Sequence, residues 1–290
     1  MKIRLQSAME YLMTYGWAIL AIAIVMVSLY SLGIFNAGSL QPTATPGSCQ
    51  VVRTAAQVSL AGQCNGLIPK YVAQFSQGYV ASATKIRQLT NATIVWWGYV
   101  TSIKSGGAGI GMPNCQVYIQ QSGSSSYVAK WDPCVCNGYA SCSSYAQLTI
   151  PESQWAMVAF TVNTGNVINS YAYFPSNGTV VTNKNTVPAS GVSIPSGSFY
   201  IGEYAIYTIY QGLVGSVSNV QLYNTTLDNT TIKSLYQEGI GGAPIDLQHL
   251  IGWWPLNGNA NDYSGFNNNA NSISILNTTW NANWQGTYGH

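Results

Sequence analysis

Trp155-Ala-Met-Val-Ala-Phe-Thr-Val162 carries no charge and alternates: Val158, Phe160 and Val162 fall on one side of an extended chain, Ala159 and Thr161 on the other. Side chains of a β-strand point alternately to the two faces of its sheet, so this period of two marks a strand with an apolar face. Moving outward, stretches of the same kind recur at 71–75, 79–81, 92–102, 116–121, 146–150, 167–174, 179–182, 198–202 and 213–222, parted by Gly, Ser, Asn and Pro turns. One helix is expected among them, over 226–238. Leu227, Ile232, Leu235 and Tyr236 lie near a helical period there, Asp228 caps the start and Gly239 stops it. Many short strands with almost no helix predict a mainly β fold, a β-sandwich.

The N-terminal region is written differently. Tyr11 to Phe35 is 25 residues without a charge, about 37 Å as a helix. That length crosses a bilayer core of about 30 Å with some tilt. Lys2 and Arg4 precede it, which favours a cytoplasmic N-terminus and an exported remainder. A secretory signal has an apolar stretch of roughly 7–15 residues and then a small-residue cleavage site. Here the stretch is far longer, and the acid of the region, Glu10, stands just before it. Residues 37–48 read as a Pro/Gly/Thr linker with no apolar period.

Only 6% of the 290 residues are charged, against about 25% in an ordinary soluble domain. Twenty Tyr, nine Trp and many hydroxyl and amide side chains take their place. The net charge is +2, and eight of the ten cations are scattered beyond Lys2 and Arg4, so nucleic acid is not an expected partner. Six Cys follow the apolar stretch: Cys49, Cys64, Cys115, Cys134, Cys136 and Cys142. An even count beyond an export signal reads as a disulfide framework, within which fifteen pairings are open. Adjacency favours Cys49–Cys64 and two bonds within 115–142, with 49–70 as a disulfide-closed loop. Zinc at Cys134, Cys136 and Cys142 has poor spacing.

Two resemblances sharpen this reading. The short basic leader, the acid and the apolar helix in Gln6-Ser-Ala-Met-Glu-Tyr-Leu-Met-Thr-Tyr-Gly-Trp-Ala-Ile-Leu20 resemble the class III signal of archaeal type IV pilin-like surface proteins. The resemblance implies a leader of residues 1–5, cut between Leu5 and Gln6, and a stem helix over 6–36. It also implies that Glu10 pairs with the N-terminal amine of a neighbouring subunit during assembly. The family usually has Gly or Ala before the cut, where this chain has Leu5. A plain membrane anchor with Glu10 at the headgroup level is the other reading.

Beyond the stem, an ordered series resembles the laminin-G-like (concanavalin A-like) jelly roll. It runs through Phe75-Ser-Gln-Gly-Tyr79, Ile94-Val-Trp96-Trp97-Gly98, the stretch at 155–162, Tyr171-Ala-Tyr-Phe-Pro-Ser-Asn-Gly178, Tyr200-Ile-Gly202 and Gly212-Leu-Val-Gly-Ser-Val-Ser-Asn-Val-Gln-Leu-Tyr223. The family's usual opening segment is matched by Gly252-Trp-Trp-Pro-Leu-Asn-Gly-Asn-Ala-Asn-Asp-Tyr-Ser-Gly265, which here comes last. Residues 71–290 therefore read as a circularly permuted head, with 250–290 folding beside 71–81 to complete the sheet. A truncated tandem repeat is the alternative. The resemblance implies no required cofactor and an optional calcium ion. Asp262, flanked by Asn257, Asn259, Asn261 and Asn267, is the candidate ligand, since calcium takes hard oxygens. The same run also reads as a turn in which Asp262 caps its own backbone.

Catalysis finds little to work with. Glycoside hydrolysis needs two carboxylates close together, and the nearest pair among the eight acids, Glu238 and Asp246, is eight residues apart. The chain is therefore expected not to be an enzyme. Sequons at Asn91, Asn177, Asn224, Asn229 and Asn277 suit an exported, glycosylated head. Trp96 or Trp97, Trp155, and Trp253 or Trp254 are expected in the core, Trp280 and Trp284 at the surface. These features predict a structural and adhesive subunit of a surface filament, self-associating through its helix, with glycans or cell surfaces as partners. It would sit at the cell surface, anchored in the cytoplasmic membrane or assembled in a filament. A membrane-anchored, non-polymerising lectin-like protein is the alternative, and a carbohydrate-active enzyme the second alternative.

Overall fold

In the computed structural model the described residues are 3–31, 42–65, 67–104, 107–113, 115–131, 146–165, 167–186, 193–203, 212–271 and 275–288. The chain is mainly β and divides into two units, Met1–Gln41 and Pro42–His290.

The first unit is one helix, α1 (Ile3–Ser31). From Met13 to Ser31 it is long and apolar enough to cross a membrane. Its large side chains point outward on every side; Met13, Trp17, Val27 and Tyr30 are all exposed. The hydroxyls that interrupt the run are satisfied locally. Ser28 Oγ donates to the Ile24 carbonyl at 2.7 Å and Ser31 Oγ to the Ser28 carbonyl at 2.8 Å. A helix that is apolar all round calls for an apolar surrounding, lipid or other helices. The Leu5–Gln6 bond lies inside this helix.

The second unit begins with β1 (Thr43–Ala44), β2 (Cys49–Arg53), β3 (Val58–Gly62) and β4 (Ile68–Pro69). Residues 42–48, expected as free linker, are tied down: β1 pairs with β4, and the Ala44 carbonyl accepts from Lys70 N and Asn257 Nδ2. The hairpin of β2 and β3 is closed by the Cys49–Cys64 disulfide, 15 residues apart. A loop of that size is worth about 3 kcal/mol.

The sheet itself comprises β5 (Val72–Ala81), β6 (Ala92–Ile103), β7 (Ala108–Met112), β8 (Cys115–Ser122), β9 (Ser126–Trp131), β10 (Leu148–Pro151), β11 (Trp155–Val162), β12 (Val167–Tyr173), β13 (Val180–Thr186), β14 (Tyr200–Ile201) and β15 (Leu213–Tyr223). Then follow α2 (Asn229–Glu238), β16 (Leu250–Trp254) and β17 (Ile275–Asn281). The strands form one sheet in the order β10-β9-β8-β7-β14-β5-β15-β6-β11-β12-β13, with β16 added to β15 and β17 to β5. The sheet folds over into a sandwich. Asn183 Nδ2 of β13 donates to the Gln147 carbonyl beside β10, at 3.0 Å, joining the two ends of that order. Of the segment 250–290, β17 lies beside β5, whereas β16 pairs with β15, Val220 opposite Trp254.

The alternation at 155–162 holds, but both faces are buried. Ala156, Val158, Phe160 and Val162 enter the sandwich interior with Phe75, Ile94, Trp96 and Trp254. Trp155, Met157 and Ala159 enter a second core with Trp97, Tyr223, Leu235, Trp253 and Trp284. The helix α2 helps roof that second face through Ile232 and Leu235. Asp228 Oδ1 accepts from Thr231 N at 2.7 Å to cap it, and Gly239 N donates to the Tyr236 carbonyl at its end. A central strand buried on both faces has no need of polar residues. This explains why Ala159 and Thr161, expected to face away from the core, are also enclosed.

Candidate functional site

The site is built on the edge of the second core. Trp155 opens β11 beneath a tight turn in which Ser153 takes φ 56° and Ser153 N donates to the Val100 carbonyl at 2.8 Å. Tyr99 stands opposite on β6, in register with Trp155. The two rings lie 5.7 Å apart, tilted by 46°. Tyr99 is itself held by a close approach: β15 bulges at Gly215 (φ 148°), where a Cβ would lie 2.2 Å from the Tyr99 carbonyl. Only glycine fits such a contact.

Behind these rings, a 3-10 turn at Trp284–Thr287 brings a hydroxyl to the rim. Trp155 Nε1 donates to Thr287 Oγ1 at 2.9 Å, and Thr287 Oγ1 donates to the Trp284 carbonyl at 2.6 Å. Gln154 Nε2 donates to Ser176 Oγ, linking the β10–β11 turn to the one after β12. Together Tyr99, Ser153, Gln154, Trp155, Ser176 and Thr287 line a concavity of about 270 Å³ that has no charged residue among the described residues of its lining. Burial pushes the Tyr288 phenol, packed edge-on against Trp155, up to about 12, partly offset by a hydrogen bond at Ile240.

An uncharged hollow with an aromatic ring, three hydroxyls and an amide matches a pyranose. The ring takes the sugar's C–H face and the polar groups take its hydroxyls. The volume lies near the lower end of small-molecule sites, about 300–1,000 Å³, and suits one sugar unit.

The residues expected from sequence fall elsewhere. Leu5, Gln6 and Glu10 lie in α1. Cys49 and Cys64 are bonded, and Cys115, buried in β8, is also disulfide-bonded. Cys134, Cys136 and Cys142 lie outside the described residues. Among the sequons Asn177, Asn229 and Asn277 are exposed, while Asn91 and Asn224 are half-buried. Asn91 Oδ1 accepts from Thr164 N at 2.8 Å.

Asp262 is buried, and its carboxylate is fully engaged by backbone donors. Oδ1 accepts from Trp253 N at 2.9 Å and Ser264 N at 2.8 Å, and Oδ2 from Asn268 N at 2.8 Å. Amide hydrogens are thus aimed at both oxygens, the arrangement of a turn in which Asp262 caps its own backbone. Among the described residues no group of three His, Cys, Asp or Glu is poised to hold a metal. Trp284, expected at the surface, is 2% exposed. Its indole N–H donates to the Pro69 carbonyl at 3.1 Å, and its ring meets Trp155 and Tyr288 edge-on.

No protein-family model matches the chain, and no curated protein matches its sequence. Solved structures do match by shape. A Bacteroides ovatus protein provisionally assigned to carbohydrate binding superposes with a TM-score of 0.51 at 15% identity. That match covers 79% of this chain and 65% of the other, so the chain spans just under two thirds of that protein. A heptameric pentraxin from Limulus polyphemus gives 0.44 at 12% identity, covering 60% of this chain and 84% of its own. The LG1-3 region of the laminin alpha2 chain gives 0.39 at 9% identity, covering 60% and 34%. At these identities the likeness is one of fold.

Proposed function

We propose that the Pro42–His290 unit is a carbohydrate-binding, adhesive head that acts by binding rather than catalysis, displayed at a cell surface by the apolar helix. The observation that carries this reading is the uncharged hollow between Tyr99, Trp155 and Thr287. The disulfide at Cys49–Cys64 fits an oxidising exterior. The test is a neutral-glycan array probed with the full chain in a detergent that has no sugar headgroup. Wild type is expected to retain neutral oligosaccharides. Tyr99→Ala is expected to weaken them about five- to thirtyfold, the loss of one ring–sugar stack being worth about 1–2 kcal/mol. Retention unchanged in Tyr99→Ala at an equal melting temperature would sink the assignment.

A finer reading rests on α1. An unbroken helix, apolar on every described side, supports a stem that polymerises through helix packing in an archaeal type IV pilus-like filament. Small residues at Gly16, Ala18, Ala21 and Ala23 permit close approach. Glu10 pairs with a neighbouring amine in this reading. Mass spectrometry of material sheared from cells is expected to find chains beginning at Gln6 in high-molecular-weight particles, and Glu10→Ala is expected to abolish those particles. An intact Met1 recovered only with membranes would instead establish a static anchor for the same lectin-like head.

A further inference from the structure

We propose that a second concavity, lined by Lys85, Arg87, Asn224, Gln248, Phe266 and Asn268, binds an acidic sugar, a uronate unit of a polysaccharide. It goes beyond the neutral hollow at Tyr99 and shares no residue with it. Its volume is about 350 Å³, within the usual range for small-molecule sites, about 300–1,000 Å³. The connection between β5 and β6 supplies the cations. It is pinned at Ile86, whose N–H donates to the Gly197 carbonyl at 2.8 Å and whose carbonyl accepts from Gly197 N at 3.1 Å. Ile86 and Ile251, both buried, form the apolar wall.

The charge here is uncompensated. Of ten Lys and Arg in the chain, two lie within three residues and line this one cavity. Among the described residues no carboxylate lines it. His249 Nδ1 and Asp246 Oδ2 are hydrogen-bonded at 2.8 Å, so the Asp246 carboxylate already has a partner. The Asp262 carboxylate is held by three backbone N–H groups. Arg87 instead meets a neutral amide. With the Asn224 amide turned to satisfy both neighbours, its oxygen accepts from Arg87 Nη2 at 2.8 Å and its nitrogen donates to the His249 carbonyl at 3.1 Å. In a chain with 6% charged residues, an unpaired cationic pair in a hollow is an anion site in waiting.

The other walls select a sugar over a bare ion. Besides its two cations the hollow is lined by three amides and by the apolar Ile86, Ile251 and Phe266, a mixture that suits a sugar ring carrying a carboxylate more than a bare ion. Phe266 is 49% exposed and is steadied by the Arg53 guanidinium, 4.3 Å from its ring centroid. Asn268 is fixed by donating to the Ile251 carbonyl at 2.8 Å and accepting from Thr84 Oγ1 at 2.9 Å, while Gln248 is exposed at the rim. A carboxylate against Lys85 and Arg87, a ring face on Phe266 and hydroxyls toward the amides make one consistent set of contacts.

Calorimetry of the full chain in a sugar-free detergent tests this with three probes: an oligogalacturonate, a neutral oligosaccharide of equal length, and sulfate. Wild type is expected to bind the oligogalacturonate, more weakly as salt rises. Lys85→Gln with Arg87→Gln is expected to weaken it about tenfold or more, while Lys104→Gln with Lys130→Gln and Tyr99→Ala leave it unchanged. Should the Lys85/Arg87 variant melt early, Phe266→Ala and Gln248→Ala, both exposed, are expected to weaken uronate binding several-fold in folded protein. Uronate affinity equal in wild type and these variants would overturn the proposal, as would sulfate binding with the same affinity. Loss of neutral-glycan binding in Tyr99→Ala with uronate binding intact separates the two sites.

Discussion

Asp262→Ala is expected to lower stability by about 4 kcal/mol and the melting temperature by about 10 °C. The carboxylate is buried, and three backbone N–H groups, those of Trp253, Ser264 and Asn268, rely on it. A buried donor left without a partner costs about 1–3 kcal/mol. Part of that is recovered when water enters the relaxed turn, so the sum falls short of three full penalties. Arg53 adds to the loss. Its guanidinium donates to the carbonyls of Ser264, Leu247 and Leu250, and Asp262 is the carboxylate that favours its charge against the burial that opposes it. Asp262→Asn keeps one acceptor oxygen and is expected to fall between. Calcium and chelator are both expected to leave the wild-type melting curve in place. A calcium-dependent rise, with Asp262→Ala otherwise as stable as wild type, would return the residue to the role of metal ligand.

Trp284→Ala is expected to cost about 3–5 kcal/mol, the usual range for deleting a buried Trp ring. The indole is 2% exposed, stacks edge-on with Trp155 and Tyr288 at 5.6 Å each, and donates to the Pro69 carbonyl. The effect should reach the sugar hollow as well. Thr287 bridges the Trp284 carbonyl to Trp155 Nε1, so collapse of the 3-10 turn removes one wall and frees the ring behind Tyr99. Thermal melts and glycan retention should therefore fall together. Trp284→Phe keeps a ring and loses the hydrogen bond, and is expected to retain roughly half the stability. A variant that melts with wild type would mean that this turn does not seal the second core.

The strand Trp155–Val162 and the caps Asp228 and Gly239 were legible because each depends on neighbours within a few residues, whereas the burial of both Trp96 and Trp97, one in each core, was only half expected. The helix at Ile3–Ser31 was legible because composition alone demands it. The strand Ala108–Met112 was hidden by two glycines, whose place is set from outside. A Cβ on Gly109 would lie 3.0 Å from the Glu203 carbonyl. Trp284 was misjudged because its polar neighbours describe the surface of the turn and not the Trp155 and Tyr288 rings beneath it. The sugar hollow left no motif. Tyr99, Ser153, Ser176 and Thr287 come from four separate turns and strands that meet only through sheet pairing. Register and tertiary contact, which single-sequence patterns do not encode, decide such a site.

The pairing of β17 with β5 also sets a schedule. Thr278 Oγ1 reaches the Tyr79 carbonyl across 199 residues of chain. A ribosome adds about 5–20 residues per second, so β5 waits roughly 10–40 s for the strand that covers its edge. During that interval Val72–Ala81, which β15 also joins late, exposes an open ladder that invites wrong partners. Completion of this sheet thus waits on synthesis of the last strand. A holding factor or a confining channel that keeps the early strands apart until Ile275–Asn281 arrives would raise the yield of folded protein, and it would matter most at low temperature, where long-range pairing is slow.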